Sequence, residues 1–130
     1  MDSNLQALML EQGRKARVAA RYLATASTTI KNEALMAMAD TLEANIPELL
    51  KANQLDLENG REQGLSSALL ERLTLDESRV KDMADGLREI AALPDPVGEV
   101  LGMWRRPNGL EVGRIRTPIG VIGIIYESRP

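Results

Sequence analysis

The sequence predicts an α/β protein in which helices come first and strands last. Three observations carry this. Apolar residues recur at helical spacing between capping signals over most of residues 1–93. After Pro94 and Pro96, the dipeptide Asn108-Gly109 marks a hairpin between two short runs. Residues 120–126 then form an apolar run rich in β-branched side chains. A strand apolar on both faces belongs inside a parallel sheet covered by helices.

Ser3 and Gln6 make an S-x-x-Q capping box for a helix running to about Ala24, with Leu5, Leu8, Met9, Val18 and Leu23 as apolar positions. Ser27, Thr28 and Thr29 offer caps for a second helix, whose stripe is Ile30, Leu35, Met38, Leu42 and Ile46. Asn45 is expected to cap a third helix, with Pro47 in its first turn, Glu48 in the capping-box position, and Gly60 and Gly64 at its end. A short helix follows Ser66. Thr74 and Glu77 form a T-x-x-E box opening a helix whose apolar face is Val80, Met83, Leu87, Ile90 and Ala91. Beyond the prolines, a β-ribbon is expected over 98–117, closed by a type I′ turn at Asn108-Gly109. A bulge at Gly113 would return Val112 and Ile115 to one face.

Composition removes whole classes of chemistry. The 130 residues are 44% hydrophobic and 27% charged, ordinary soluble usage. There is no Cys and no His. That excludes a disulfide frame, a cysteine nucleophile, a Ser-His-Asp triad and any thiolate or imidazole metal site within this chain, so no metal site and no catalytic residue is assigned. Only Tyr22, Trp104 and Tyr126 are aromatic, so the core is built from Leu, Ile, Val, Met and Ala. Residues 1–103 carry 11 Lys and Arg against 17 Asp and Glu, whereas residues 104–130 carry five Arg against two Glu. A basic end on an acidic body suits anions, or is a solvated arginine-bearing hairpin. The N-terminus lacks the basic, then apolar, pattern of a signal peptide. No apolar run approaches the roughly 20 residues of a spanning helix. The protein is read as cytoplasmic, with no membrane or nucleic-acid partner. The G-x-x-G of Gly120 and Gly123 lies within the apolar run, unlike the exposed loop of an RNA clamp, and it is not a G-x-G-x-x-G fingerprint.

The segment "RIRTPIGVIGIIYESRP" resembles the stretch entering the cofactor domain in the γ-glutamyl phosphate reductase family, the glutamate-5-semialdehyde dehydrogenases of the aldehyde dehydrogenase superfamily. The likeness extends upstream through "GLSSALLERLTLDESRVKDMADGLREIAALPDPVGEV" and "RRPNGLEVGRIRTPIG" and covers nearly the whole chain, weakest over the first 25 residues. "YESRP" sets this branch apart from other aldehyde dehydrogenases. The resemblance implies NADPH-dependent reduction of L-glutamyl 5-phosphate to L-glutamate 5-semialdehyde with release of phosphate, in proline biosynthesis, through a thioester on a cysteine lying far downstream. It implies an N-terminal helical region over 1–97, an oligomerisation ribbon over 98–117, and the first strand of a nucleotide-binding domain over 118–130. On this reading the chain is an N-terminal fragment, inactive alone. A homo-oligomer through the ribbon is expected, and the upstream glutamate kinase is a candidate partner.

Ligands of open α/β sheets bind outside the carboxyl ends of the strands. Tyr126, Glu127, Ser128, Arg129 and Pro130 occupy that end and are assigned to the cofactor, NADPH or NADP. Arg129 has a second reading as a structural ion pair, and Glu127 as a hydrogen-bonded loop residue. Ser128 has no base in this chain to activate it. Arg114 and Arg116 are expected on an exposed ribbon face, and Trp104 either anchors a subunit contact or packs locally. The alternative function is a complete helical bundle whose β-arm is a protein–protein interaction module.

Overall fold

The elements follow the predicted order: α1 (Ser3–Leu23), α2 (Thr28–Ala44), α3 (Ile46–Glu62), α4 (Ser67–Leu73), α5 (Glu77–Ala92), β1 (Val100–Arg105) and β2 (Glu111–Ile115). This computed structural model describes residues 3–125. It divides into two units: the described residues up to Thr28 with Pro94–Gly123, and Thr29–Leu93 with Ile124 and Ile125.

In the helical unit, local chemistry sets the boundaries. α3 ends where Gly64 takes φ of 75°, a conformation costly for any residue with a Cβ. The Leu65 N–H reaches the Gly60 carbonyl and the Gly64 N–H that of Arg61, the paired bonds of a Schellman ending. Ser66 caps α4 by accepting from the Leu69 N–H. Leu93 is extended, as the residue before Pro94 must be, and so ends α5.

Two predicted caps are corrected. Asn45 makes no side-chain cap to α3; its Nδ2 instead donates to the Thr41 carbonyl, 2.7 Å away, an oxygen at the end of α2 that also accepts from the Asn45 N–H. The Thr74–Glu77 box does not open α5. Thr74 Oγ1 donates back to Leu70, and Asp76, in extended geometry, accepts from the Arg79 N–H at 2.8 Å. A carboxylate two residues nearer the helix is the stronger N-cap, because it also meets the positive end of the helix dipole.

The core is small: Ala39 of α2, Leu57 of α3, and Val80 and Ala84 of α5 are buried. Val80, Ala84, Leu87 and Ala91 recur at 4, 3 and 4 residues on the inward stripe of α5. Met83 and Ile90, assigned to that face from sequence, are exposed. The buried alanines let the backbones approach closely, and a longer side chain gains nothing by turning inward. Asn53 is the buried polar residue of this core, and it joins α3 to the link between α4 and α5. Its Nδ2 donates to the Leu73 carbonyl and its Oδ1 accepts from the Leu75 N–H, both at 2.8 Å.

In the other unit, Leu5, Leu8, Met9, Val18 and Leu23 of α1 are half or more exposed. Thr28 Oγ1 donates to Asp95 Oδ2 at 3.0 Å, and Asp95 Oδ1 accepts from the Val97 N–H. β1 and β2 pair antiparallel with Met103 opposite Gly113, Trp104 opposite Val112 and Arg105 opposite Glu111. The ladder continues through Gly98 and Glu99 to Arg116, so the ribbon fills nearly all of the predicted span.

Its turn and bulge differ from expectation. A two-residue loop would pair Pro107 with Leu110, and Pro107 has no N–H to give. The Arg106 N–H donates to Leu110 instead, and a three-residue loop forms, with the Gly109 N–H on the Arg106 carbonyl. Asn108 keeps negative φ and Gly109 takes 87°, the type I turn with a glycine bulge rather than type I′. The register shift lies in β1, between Val100 and Gly102, and not at Gly113. Gly113 is regularly paired; a Cβ there would overlap the Met103 sulfur lying across it. Residues 116–125 form no strand, so the predicted strand is absent among the described residues. A strand of a parallel sheet exists only through its neighbours, and these residues have none to pair with.

Candidate functional site

The site expected from sequence is the end of the apolar run. Pro118 keeps Thr117 out of helical geometry, and Gly120 turns the chain with φ of 96°. Ile119, Val121, Ile122, Ile124 and Ile125 follow, all exposed, Ile119 at 88% and Ile125 fully. Tyr126, Glu127, Ser128, Arg129 and Pro130 lie outside the described residues. The geometry therefore reaches the approach to the expected site and stops there.

The basic end is carried by the ribbon. Arg114 shares a face with Trp104 and Val112, and is exposed. Arg116 is an ion pair: its Nε donates to Glu99 Oε2 at 2.7 Å, with both groups half exposed. Such a pair adds little stability in water, and it spends one of the arginines an anion would need. Val100, Met103 and Ile115 lie on the face opposite Trp104, so each face carries exposed apolar side chains. A cavity of about 260 Å³ on the ribbon is lined by Met103, Trp104, Arg105 and Glu111.

In the helical unit an open groove of about 710 Å³ runs along α2 into α3, lined by Ala37, Met38, Thr41, Leu42, Asn45, Glu48 and Leu49. Two of its polar donors are already engaged. Thr41 Oγ1 donates to Ala37 and Asn45 Nδ2 to Thr41. What remains is apolar wall and acceptor oxygens, among them the Glu48 carboxylate, a poor match for a phosphate. Arg88 of α5 reaches Glu43 at 2.7 Å, and Asp40 and Asp85 at 3.0 Å each. Its hydrogen bond holds the Glu43 carboxyl below the usual range, and these carboxylates raise the guanidinium further above its already high value. Glu77 likewise raises Lys81. These are fastenings between and along helices, with both cations engaged by carboxylates. Among the described residues no cluster of three or more Asp, Glu, His or Cys could hold a metal.

Arg88 and Asn53 were not singled out from sequence. Asn53 lay in the pattern, since Leu49, Asn53 and Leu57 share one stripe at four-residue spacing. A polar residue on such a stripe is buried and must be paired. The acids at 40, 43 and 85 gave no comparable signal, because nothing local says that α2 and α5 are neighbours.

Comparisons with known proteins extend over nearly the whole chain. The chain is 74% identical over all 130 residues to γ-glutamyl phosphate reductase of Syntrophomonas wolfei, and 62% identical over 119 residues to that of Moorella thermoacetica. The chain is similar over nearly its whole length to part of γ-glutamyl phosphate reductases. It spans 31% and 28% of the lengths of those two relatives. No family model matches it. Crystal structures agree. γ-Glutamyl phosphate reductase of Thermotoga maritima matches with a TM-score of 0.81 and 39% identity, over 85% of this chain and 27% of that one. The Saccharomyces cerevisiae structure gives 0.76 and 33%, over 81% and 27%. The shared part is the N-terminal region of the family, mostly helical with a two-stranded antiparallel sheet, as the sequence led one to expect.

Proposed function

We propose that this chain is the N-terminal part of an NADPH-dependent reductase that converts L-glutamyl 5-phosphate to L-glutamate 5-semialdehyde and phosphate. The observation that carries this is the 74% identity over the whole chain to a γ-glutamyl phosphate reductase. NADPH, when bound, supplies the hydride. The donor chemistry of residues 126–130 suits such a ligand: the Arg129 guanidinium answers a phosphate, and the Ser128 and Tyr126 hydroxyls can donate to one. The thiol that displaces phosphate is not among these 130 residues, which contain no Cys. This segment's part is to deliver residues 126–130 and to support assembly.

The ribbon is the assembly element in this reading. Two strands alone are marginal in water, and this pair carries Met103, Trp104, Val100 and Ile115 uncovered on its two faces. A second subunit would cover them. Acyl phosphates hydrolyse in water, so the kinase that forms the substrate is the natural partner. The cytoplasm is the compartment proposed; among the described residues no helix is long and apolar enough to cross a membrane.

The test is phosphate-dependent NADP reduction with glutamate 5-semialdehyde, using the protein encoded by the complete reading frame and, separately, residues 1–130. Activity in the first and none in the second is expected. Absence of activity in the complete protein with either nicotinamide coenzyme overturns the assignment.

A further inference from the structure

The geometry points to Asn108, at the tip of the ribbon, as a site of spontaneous succinimide formation, giving aspartate and isoaspartate at that position. The reaction needs an asparagine followed by a residue without a side chain, a turn that brings the two groups together, and access to water. Asn108 is exposed and Gly109 follows it in a three-residue loop. The Leu110 N–H already donates to Asn108 Oδ1 at 3.1 Å. That donor lies on the oxygen where negative charge develops when the amide carbon is attacked, so it stabilises the tetrahedral state. The Gly109 nitrogen is held to the Arg106 carbonyl at 2.9 Å, and this one exposed bond must open first.

The step balances. The Gly109 nitrogen loses its proton and bonds to Asn108 Cγ, the Cγ–Nδ2 bond breaks, and ammonia leaves. Water then opens either carbonyl side of the ring. One opening leaves aspartate; the other threads the backbone through the side chain and adds a methylene to the loop. Either product sets a new carboxylate beside Arg105 and Arg106, and the second changes the loop length that Pro107 imposes.

The chain carries its own control. Asn59-Gly60 has the same two residues, but it lies inside α3 with Gly60 buried and the Asn59 carbonyl accepting from Gln63. Reaction there requires the helix to open.

The experiment incubates the folded full chain at mildly alkaline pH and follows both asparagine-containing peptides by mass spectrometry. The product is scored as the mass gain of amide to acid and as the split between aspartyl and isoaspartyl forms. Asn108 should react about tenfold or more faster than Asn59 in the folded chain, and the two rates should converge in urea. Asn108→Ser should abolish the signal at 108 and leave 59 unchanged. Equal rates in the folded chain, or no reaction at 108 while 59 also stays intact, would overturn the assignment.

Discussion

Replacing Asn53 by alanine tests whether the small helical core is held by a polar clasp rather than by apolar burial alone. Asn53 is 5% exposed, and its amide makes two 2.8 Å hydrogen bonds to backbone on either side of Thr74. Alanine leaves the Leu73 carbonyl and the Leu75 N–H without partners in a half-buried link. Each abandoned group costs about 1–3 kcal/mol, so the loss is about 2–4 kcal/mol with partial rehydration. Native stabilities of about 5–15 kcal/mol make that a large share. Urea titration followed by far-ultraviolet circular dichroism measures it. Asn53→Asp sharpens the argument. The carboxylate still accepts from Leu75 but faces the Leu73 carbonyl, oxygen against oxygen. Its pKa should rise on folding, so the folded state binds the extra proton and stability should increase as pH falls. A protonated carboxyl can again donate to Leu73. If Asn53→Ala shifts stability by less than about 0.5 kcal/mol, the surface range, or if the aspartate variant shows no gain in acid relative to the parent, the clasp is not what holds the link.

Arg88→Met should lower stability at neutral pH and converge with the parent in strong acid. Glu43 is held low in the folded chain, so its contribution is present above the usual carboxylate range and is lost as pH falls through the depressed value; parallel melts across pH check this. Two glycines should respond with opposite signs in thermal melts. Gly64→Ala should cost about 1 kcal/mol because φ is 75°, whereas Gly13→Ala should gain up to about 1 kcal/mol in the exposed helix α1, with no atom near either new Cβ. Ile122→Asp should change the stability of residues 1–130 by less than about 0.5 kcal/mol, since Ile122 is exposed here. In the complete protein it should cost several, if the run is buried in a sheet. Arg129→Ala in the complete protein should leave the melt unchanged and weaken NADPH binding or turnover; unchanged kinetics remove residues 126–130 from the proposed cofactor site.

The helices were legible because their signals are local. Ser66, Gly64 and Pro94 act on groups within a turn of themselves, so residue identity decides the outcome. The errors share a cause: two local solutions competed. Asn45 could donate backward or accept forward; Asp76 stood two residues from Thr74; Pro107 lacked the N–H that the favoured turn at Asn108-Gly109 requires. The bulge and the inward face of α5 depend on what lies across from them, and that is information from another element. Met103 lying over Gly113 could not be read from β2 alone. The apolar run after Pro118 is the extreme case. Its residues specify burial without saying against what, and an uncovered apolar segment of this kind gains free energy from any strand offered to it. A parallel sheet and a partner protein satisfy the same pattern of Ile and Val equally well. The relatives that the chain matches are about three times its length, and their further residues are the context this run lacks.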